Sequence, residues 1–187
     1  MYADDVLRDA LKSKNRYITI YGLPHPIVSK LILEFSVELV RENMKVVIID
    51  SDYLIDPSTL LPYSTEVLTN ILLYKPKKLS DVMELIDLIS FSTKGLLKTY
   101  SVIINSLYVY VSRHLWDAFR YDPLYIVYSL KRHVKANYPS KATILIYTAE
   151  RDFKKIPLSN VLYELSDLIY QMEVVQNSLV FTKIKGD

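Results

Sequence analysis

The chain has 187 residues, 50% of them hydrophobic and 24% charged, with a formal net charge of +2, no cysteine and three histidines. That length and apolar fraction suit one globular domain over residues 1–187, and the near balance of charge gives no global signature of nucleic-acid or membrane binding. Disulfides and thiolate metal sites are excluded, and His25, His114 and His133 are too scattered for zinc-ligand spacing, so no metal is expected.

The opening MYADDVLRDALKSKN lacks the apolar core of a signal peptide. Within it, Val6, Leu7, Ala10 and Leu11 predict a short amphipathic helix over Asp4–Ser13. Tyr17–Tyr21 is a β-branched and aromatic run that meets Gly22 and a proline-containing turn. Leu31, Ile32, Phe35, Val37, Leu39 and Val40 then make a broad apolar helix face. KVVIID (Lys45–Asp50) has the continuous apolarity of a parallel strand buried on both faces. A loop through Pro57 and Pro62 precedes Ser64–Leu73, which has helical spacing. Ser80 is the expected N-cap of a helix through Met83, Leu85, Ile86 and Ile89. Val102–Ile104 and Ala142–Thr148 predict two more buried strands, with an aromatic and basic excursion at Ser112–Asp122 and a helix over Pro123–Tyr138 between them. Leu158–Ile169 reads as a helix, alone or leading into a short strand at Asp167–Met172. EVVQNSLVFTKI reads as a hairpin turning at Gln176–Ser178. The expectation is an α/β fold, a mainly parallel sheet flanked by helices with an antiparallel C-terminal edge hairpin. The most apolar runs, near Tyr100–Val111 and Ala142–Ala149, fall short of the roughly 20 residues of a membrane helix, so no membrane contact and a cytoplasmic location are expected.

The stretch RYITIYGLPHPIVSKLILEF has the strand, tight loop and helix in which phosphate-binding loops occur. The pattern G-x-x-x-x-G-K-[ST] aligned on Gly22 puts Ile27 at the second glycine, Val28 at the lysine and Ser29 at the hydroxyl position. A working loop needs backbone N–H groups that close on phosphate and a lysine that neutralises its charge. Ile27 and Val28 supply neither. Pro24 and Pro26 remove two amides, and Lys30 stands one residue late, rotated by roughly 100° on a helix.

The order of segments resembles the RecA/RadA recombinase superfamily, in particular short archaeal RadA paralogues without the N-terminal DNA-binding domain. The resemblance rests on YGLPHPIVSKLILEFSVELV, KVVIIDSDY, EVLTNILLYKPKKLSDVMELIDLI, SVIINSLYVYVSR, TILIYTAERD and SDLIYQMEV in family order over nearly the whole chain. It implies a RecA-like core, and a short strand in ILLYKP where periodicity alone gives helix. It also implies that Asn105 replaces the strand-end aspartate of the second nucleotide motif, and that Glu150 stands at the sensor position in place of glutamine. An acid suited to activating water maps to Asp50 or Asp52. With these replacements, ATP and Mg²⁺ binding is expected to be lost and no catalytic residue remains.

Family members touch single-stranded DNA through two loops. The first maps to Ser112–Asp122, with Arg113, His114, Trp116, Phe119, Arg120 and Tyr121. The second maps to Glu150–Pro157, with Arg151, Phe153, Lys154 and Lys155. Basic residues interleaved with aromatics can pair with phosphates and stack on bases, but the favoured reading makes Trp116 and Phe119 core or subunit-interface anchors and the charges solvated. Lys75, Lys77 and Lys78, and Lys131, Arg132, His133 and Lys135, read as solvated charge. His25, between two prolines and with no visible nucleophile, reads as a structural loop residue. A partner role is the contrasting expectation: a non-catalytic accessory or regulator of recombination and repair that contacts a RadA-type recombinase or forms a homodimer. Tyr63, Tyr74, Tyr108, Tyr110, Tyr121, Tyr125 and Tyr128 would supply the adhesive surface. A KaiC-like signalling module or a weak nucleotide binder are the alternatives.

Overall fold

The apolar runs become the inner strands of a seven-stranded sheet in the order β3-β2-β4-β5-β1-β6-β7. The computed structural model describes residues 5, 6, 8, 17–22, 27–92, 100–106, 123–136, 144–156, 158–176 and 178–186. In chain order the elements are β1 (Tyr17–Gly22), α1 (Ile27–Arg41), β2 (Lys45–Asp50), a 3-10 turn (Pro57–Leu60), α2 (Thr65–Asn70), β3 (Ile71–Tyr74), α3 (Leu79–Ser92), β4 (Tyr100–Asn105), α4 (Pro123–Ala136), β5 (Ile144–Ala149), a 3-10 turn (Phe153–Lys155), α5 (Ser159–Leu165), β6 (Leu168–Val175) and β7 (Ser178–Lys185). Every pairing is parallel except the β6–β7 hairpin. This is the α/β class with a mainly parallel sheet and an antiparallel edge hairpin.

Helices cover both faces, which is why β1 and β2 are buried almost throughout and carry no polar alternation. On one face α1 packs Val28, Leu31, Ile32 and Phe35 against strand residues such as Ile20, Ile48 and Ile103. On the other, Val82 and Ile86 of α3, Ile126 and Leu130 of α4 and Leu162 of α5 pack against Ile49, Ile104 and Ile146. The connection leaving β1 therefore runs over one face, and those leaving β4 and β5 run over the other. Neighbouring strands β1 and β5 thus send their chains apart, which in open α/β sheets opens a crevice at the C-terminal strand ends.

Three local expectations change. Ser64–Leu73 is not one helix: Ser64 Oγ caps α2 by accepting from the Val67 N–H at 3.5 Å, and the chain turns extended at Ile71. The strand expected in ILLYKP forms there as β3, because pairing with Val46–Ile49 of β2 outweighs the helical spacing of Ile71 and Leu72. Ser80 lies inside α3 with its hydroxyl buried and without a partner among the described residues. Asp81 Oδ2 does the capping instead, accepting from the N–H groups of Lys77 and Lys78 at 2.9 and 3.2 Å. The hairpin is longer than expected, since β6 already starts at Leu168. Ile169 pairs with Lys185 and Tyr170 with Lys183, so Ile184 is an extra residue that kinks the edge strand. Of the helix expected over Asp4–Ser13, Asp5, Val6 and Arg8 are described; they are helical, with Val6 buried, and the rest lies outside the described residues. Among the described residues no helix is long and apolar enough to cross a membrane.

Candidate functional site at the C-terminal strand ends

Register places Gly22 of β1 beside Ala149 of β5 and Met172 of β6, and Asn105 of β4 between Asp50 of β2 and Tyr147 of β5. The residues aligned with the two nucleotide motifs thus share one end of the sheet, with only β5 between the strands that carry them. Gly22 is fixed by packing: a Cβ there would lie 2.3 Å from the Met172 carbonyl oxygen, closer than any side chain allows.

The helix that follows turns the aligned residues inward. Val28 is 1% exposed, and Ile27 packs on the same cluster, while Ser29 is half-buried. The position aligned with the lysine is therefore a core contact, worth roughly 1.5–3 kcal/mol of burial for an aliphatic side chain of this kind. Lys30 points to solvent and pairs with Glu34 at 3.6 Å on the same helix face. Pro24, His25 and Pro26 lie outside the described residues.

Asp50 is completely buried. Its Oδ1 accepts from Asn105 Nδ2 at 2.8 Å and from the Leu54 N–H at 3.2 Å; Oδ2 accepts from the Ile55 N–H at 2.9 Å. Because a carboxylate only accepts, this contact sets the orientation of the Asn105 amide and turns its Oδ1 away. That Oδ1 is buried and finds no donor among the described residues. Lys75 closes the group: its Nζ stands 3.7 Å from Asp50 Oδ2, donates to the Ile55 carbonyl at 2.8 Å and lies 5.6 Å from the centre of the Tyr53 ring. Lys75, expected to be a solvated surface charge, is the partner of a buried carboxylate. Lys77 and Lys78 are exposed as expected. Beside Asn105, burial pushes the ionisation of the Tyr147 phenol well above its usual range, and the negative charge of Asp52 adds to the shift.

On the loop after β5, Glu150 Oε1 accepts from the N–H groups of Arg151 and Asp152 at 2.8 and 3.3 Å. Asp152 caps the following 3-10 turn by accepting from the Lys154 N–H at 3.0 Å. Phe153 stacks inward, its ring 5.2 Å from that of Tyr21 and 6.3 Å from that of Tyr163. Of the aromatic and basic set expected here, Phe153 is half-buried against the core cluster, and Arg151, Lys154 and Lys155 are exposed charges. Arg113 and Arg120, with His114, Trp116, Phe119 and Tyr121, lie outside the described residues. Tyr125 and Tyr128 are exposed on α4, with the Tyr125 hydroxyl donating to Asp87 at 2.8 Å; Tyr63 and Tyr74 are half-buried. Tyr108 and Tyr110 are not among the described residues.

Sequence reasoning missed the Asp50–Asn105–Lys75 group, whose members stand far apart in the chain. The one signal available was an acid ending KVVIID opposite an amide ending SVIIN. No group of three or more His, Cys, Asp or Glu side chains able to hold a metal is present among the described residues. The chain matches no protein-family model, and no curated protein matches it.

Proposed function

We propose that this chain is a RecA-like scaffold without ATPase chemistry that acts by contact, as an accessory of a RadA-type recombinase, with single-stranded DNA as its second contact. The observation that carries the reading is the burial of Val28: the side chain aligned with the phosphate-binding lysine is 1% exposed in the core, while the nearest lysine, Lys30, faces away and is paired with Glu34. Two further features support it. The Asp50 carboxylate is occupied by Asn105, by two backbone N–H groups and by Lys75. Asn105 itself supplies no charge for a divalent cation.

A protein partner is favoured over nucleic acid because half-buried Phe153 already meets Tyr21 and Tyr163 in tilted and edge-on contacts, which leaves Arg151, Lys154 and Lys155 without a free aromatic platform among the described residues. Exposed Tyr125, Tyr128 and Leu88 on α4 and α3 offer the apolar and aromatic side chains that protein interfaces use. Titration calorimetry with ATP and Mg²⁺ should give no heat, and a purified RadA-type recombinase should retain the chain. Replacing Tyr125 and Tyr128 together by Ala should weaken that retention roughly tenfold. Saturable heat with ATP and Mg²⁺ overturns the loss of the nucleotide site. Failure of the recombinase to retain the chain overturns the partner.

A further inference from the structure

The outward sides of α3 and α4 form one surface. Both helices return against parallel strands, so they lie side by side and run in the same direction. The Tyr125 hydroxyl, donating to Asp87 at 2.8 Å, ties them in register. The exposed side chains described on α3 are Glu84 and Leu88, at i and i+4; on α4 they are Tyr125, Tyr128 and Arg132, at i, i+3 and i+7. Leu88 is 63%, Tyr128 52% and Tyr125 44% exposed, an apolar and aromatic centre of the kind that marks a contact site. Charge is divided around it: α3 (LSDVMELIDLISFS) has three acids and no base, whereas α4 (PLYIVYSLKRHVKA) has bases in its second half and no acid. Glu84 stands four residues before Leu88 and Arg132 four after Tyr128, so each lies roughly 6 Å along its helix from the centre, in opposite directions. Acid and base thus occupy diagonally opposite corners of the face.

We propose that this face pairs with the same face of a second copy of the chain about a two-fold axis. An axis lying in the face, perpendicular to the line from Glu84 to Arg132, exchanges the two corners. Glu84 of each copy then meets Arg132 of the other, and the Leu88, Tyr125 and Tyr128 centre packs on itself. The bond to Asp87 holds Tyr125 in place beforehand, which lowers the cost of ordering it at the contact. The acid corner repels phosphate, so the face suits a protein surface and not a nucleic acid. Two helices make a contact of the size of a weak dimer. The inference stands without the recombinase proposed above; it adds that a second copy covers this face in the free chain and that any other partner has to displace it. Sedimentation of the full chain alone, over about 1 μM to 1 mM, tests it. The parent should pass from monomer to dimer as concentration rises. Glu84→Arg and Arg132→Glu, both at exposed positions, should each weaken dimerisation roughly tenfold, because each sets like charges together twice. The two combined should restore it to within roughly threefold of the parent. A parent that stays monomeric overturns the proposal, as does a dimer that either reversal leaves intact or that the combined exchange fails to restore. With no recombinase present, none of these outcomes bears on that partner.

Discussion

The two ends of the sheet carry the same device built to different tolerances. At the C-terminal strand ends, Asp50 accepts two backbone N–H groups, and Lys75 pairs with it at 3.7 Å while donating to a carbonyl and lying against Tyr53. At the opposite end, Asp167 accepts from the Tyr17 N–H at 2.9 Å. There Lys131 pairs with Asp167 at 3.1 Å, donates to the Leu165 carbonyl at 2.6 Å and lies 5.4 Å from the Tyr17 ring centre. The Asp167 side chain is 32% exposed and that of Asp50 is 0% exposed. The lower group ties β1, β6 and α4 together with water at hand. In the upper group the carboxylate is dry while the Lys75 side chain is 30% exposed, Asn105 Oδ1 finds no donor among the described residues, and Tyr53 sits at a strained φ. One carboxylate and one lysine can serve as plain mortar or as a loaded joint, and the carboxylate's access to water decides which.

Replacing each carboxylate should separate the two. Asp50→Ala removes the buried acceptor of Asn105 Nδ2 and of the Leu54 and Ile55 N–H groups and should cost about 3 kcal/mol in urea denaturation. A loss no larger than that of the lower group would break the contrast. Asn105→Asp sets a second carboxylate against Asp50, and like charges in contact there should destabilise the fold by about 2 kcal/mol in urea denaturation at pH 7. A loss of under about 0.5 kcal/mol would mean that water screens the pair.

Asp167→Asn keeps an acceptor for the Tyr17 N–H and removes only the charge, in a position where solvent screens it, so about 1 kcal/mol or less is expected, shrinking further in high salt. The smallest effect belongs to Tyr147→Phe. The folded-state phenol ionises at higher pH than the unfolded one, so its contribution is fully present below the ordinary tyrosine range, begins to fall as pH passes that range and goes on falling up to the higher folded-state value. The Phe variant should therefore lose less stability than the parent between about pH 9 and 11, by about 1 kcal/mol or less.

Much of the fold was legible because its signals are local. YITIY, KVVIID and SVIIN are continuous apolar runs, and runs of that kind belong to strands covered on both faces. The spacing of Leu31, Ile32, Phe35 and Leu39 predicts α1, and Val28 falls on the same buried stripe. Ile71–Tyr74 shows the limit. Its spacing is helical, and only the neighbouring β2 makes it a strand. Ser80 failed as a cap because Asp81, one residue on, reaches back to the same turn with a charged acceptor. The site was least legible. Asp50 meets Asn105 across 55 positions and Tyr17 meets Asp167 across 150, and no local pattern encodes such pairs.

Gly22 carries a constraint that involves no ligand. The Met172 carbonyl oxygen excludes any Cβ at this position, whatever does or does not bind beyond the strand. Packing alone would keep a glycine here whatever the chain beyond the strand does, and Val28, 1% exposed, is held by the same kind of constraint, so neither position reports on a ligand.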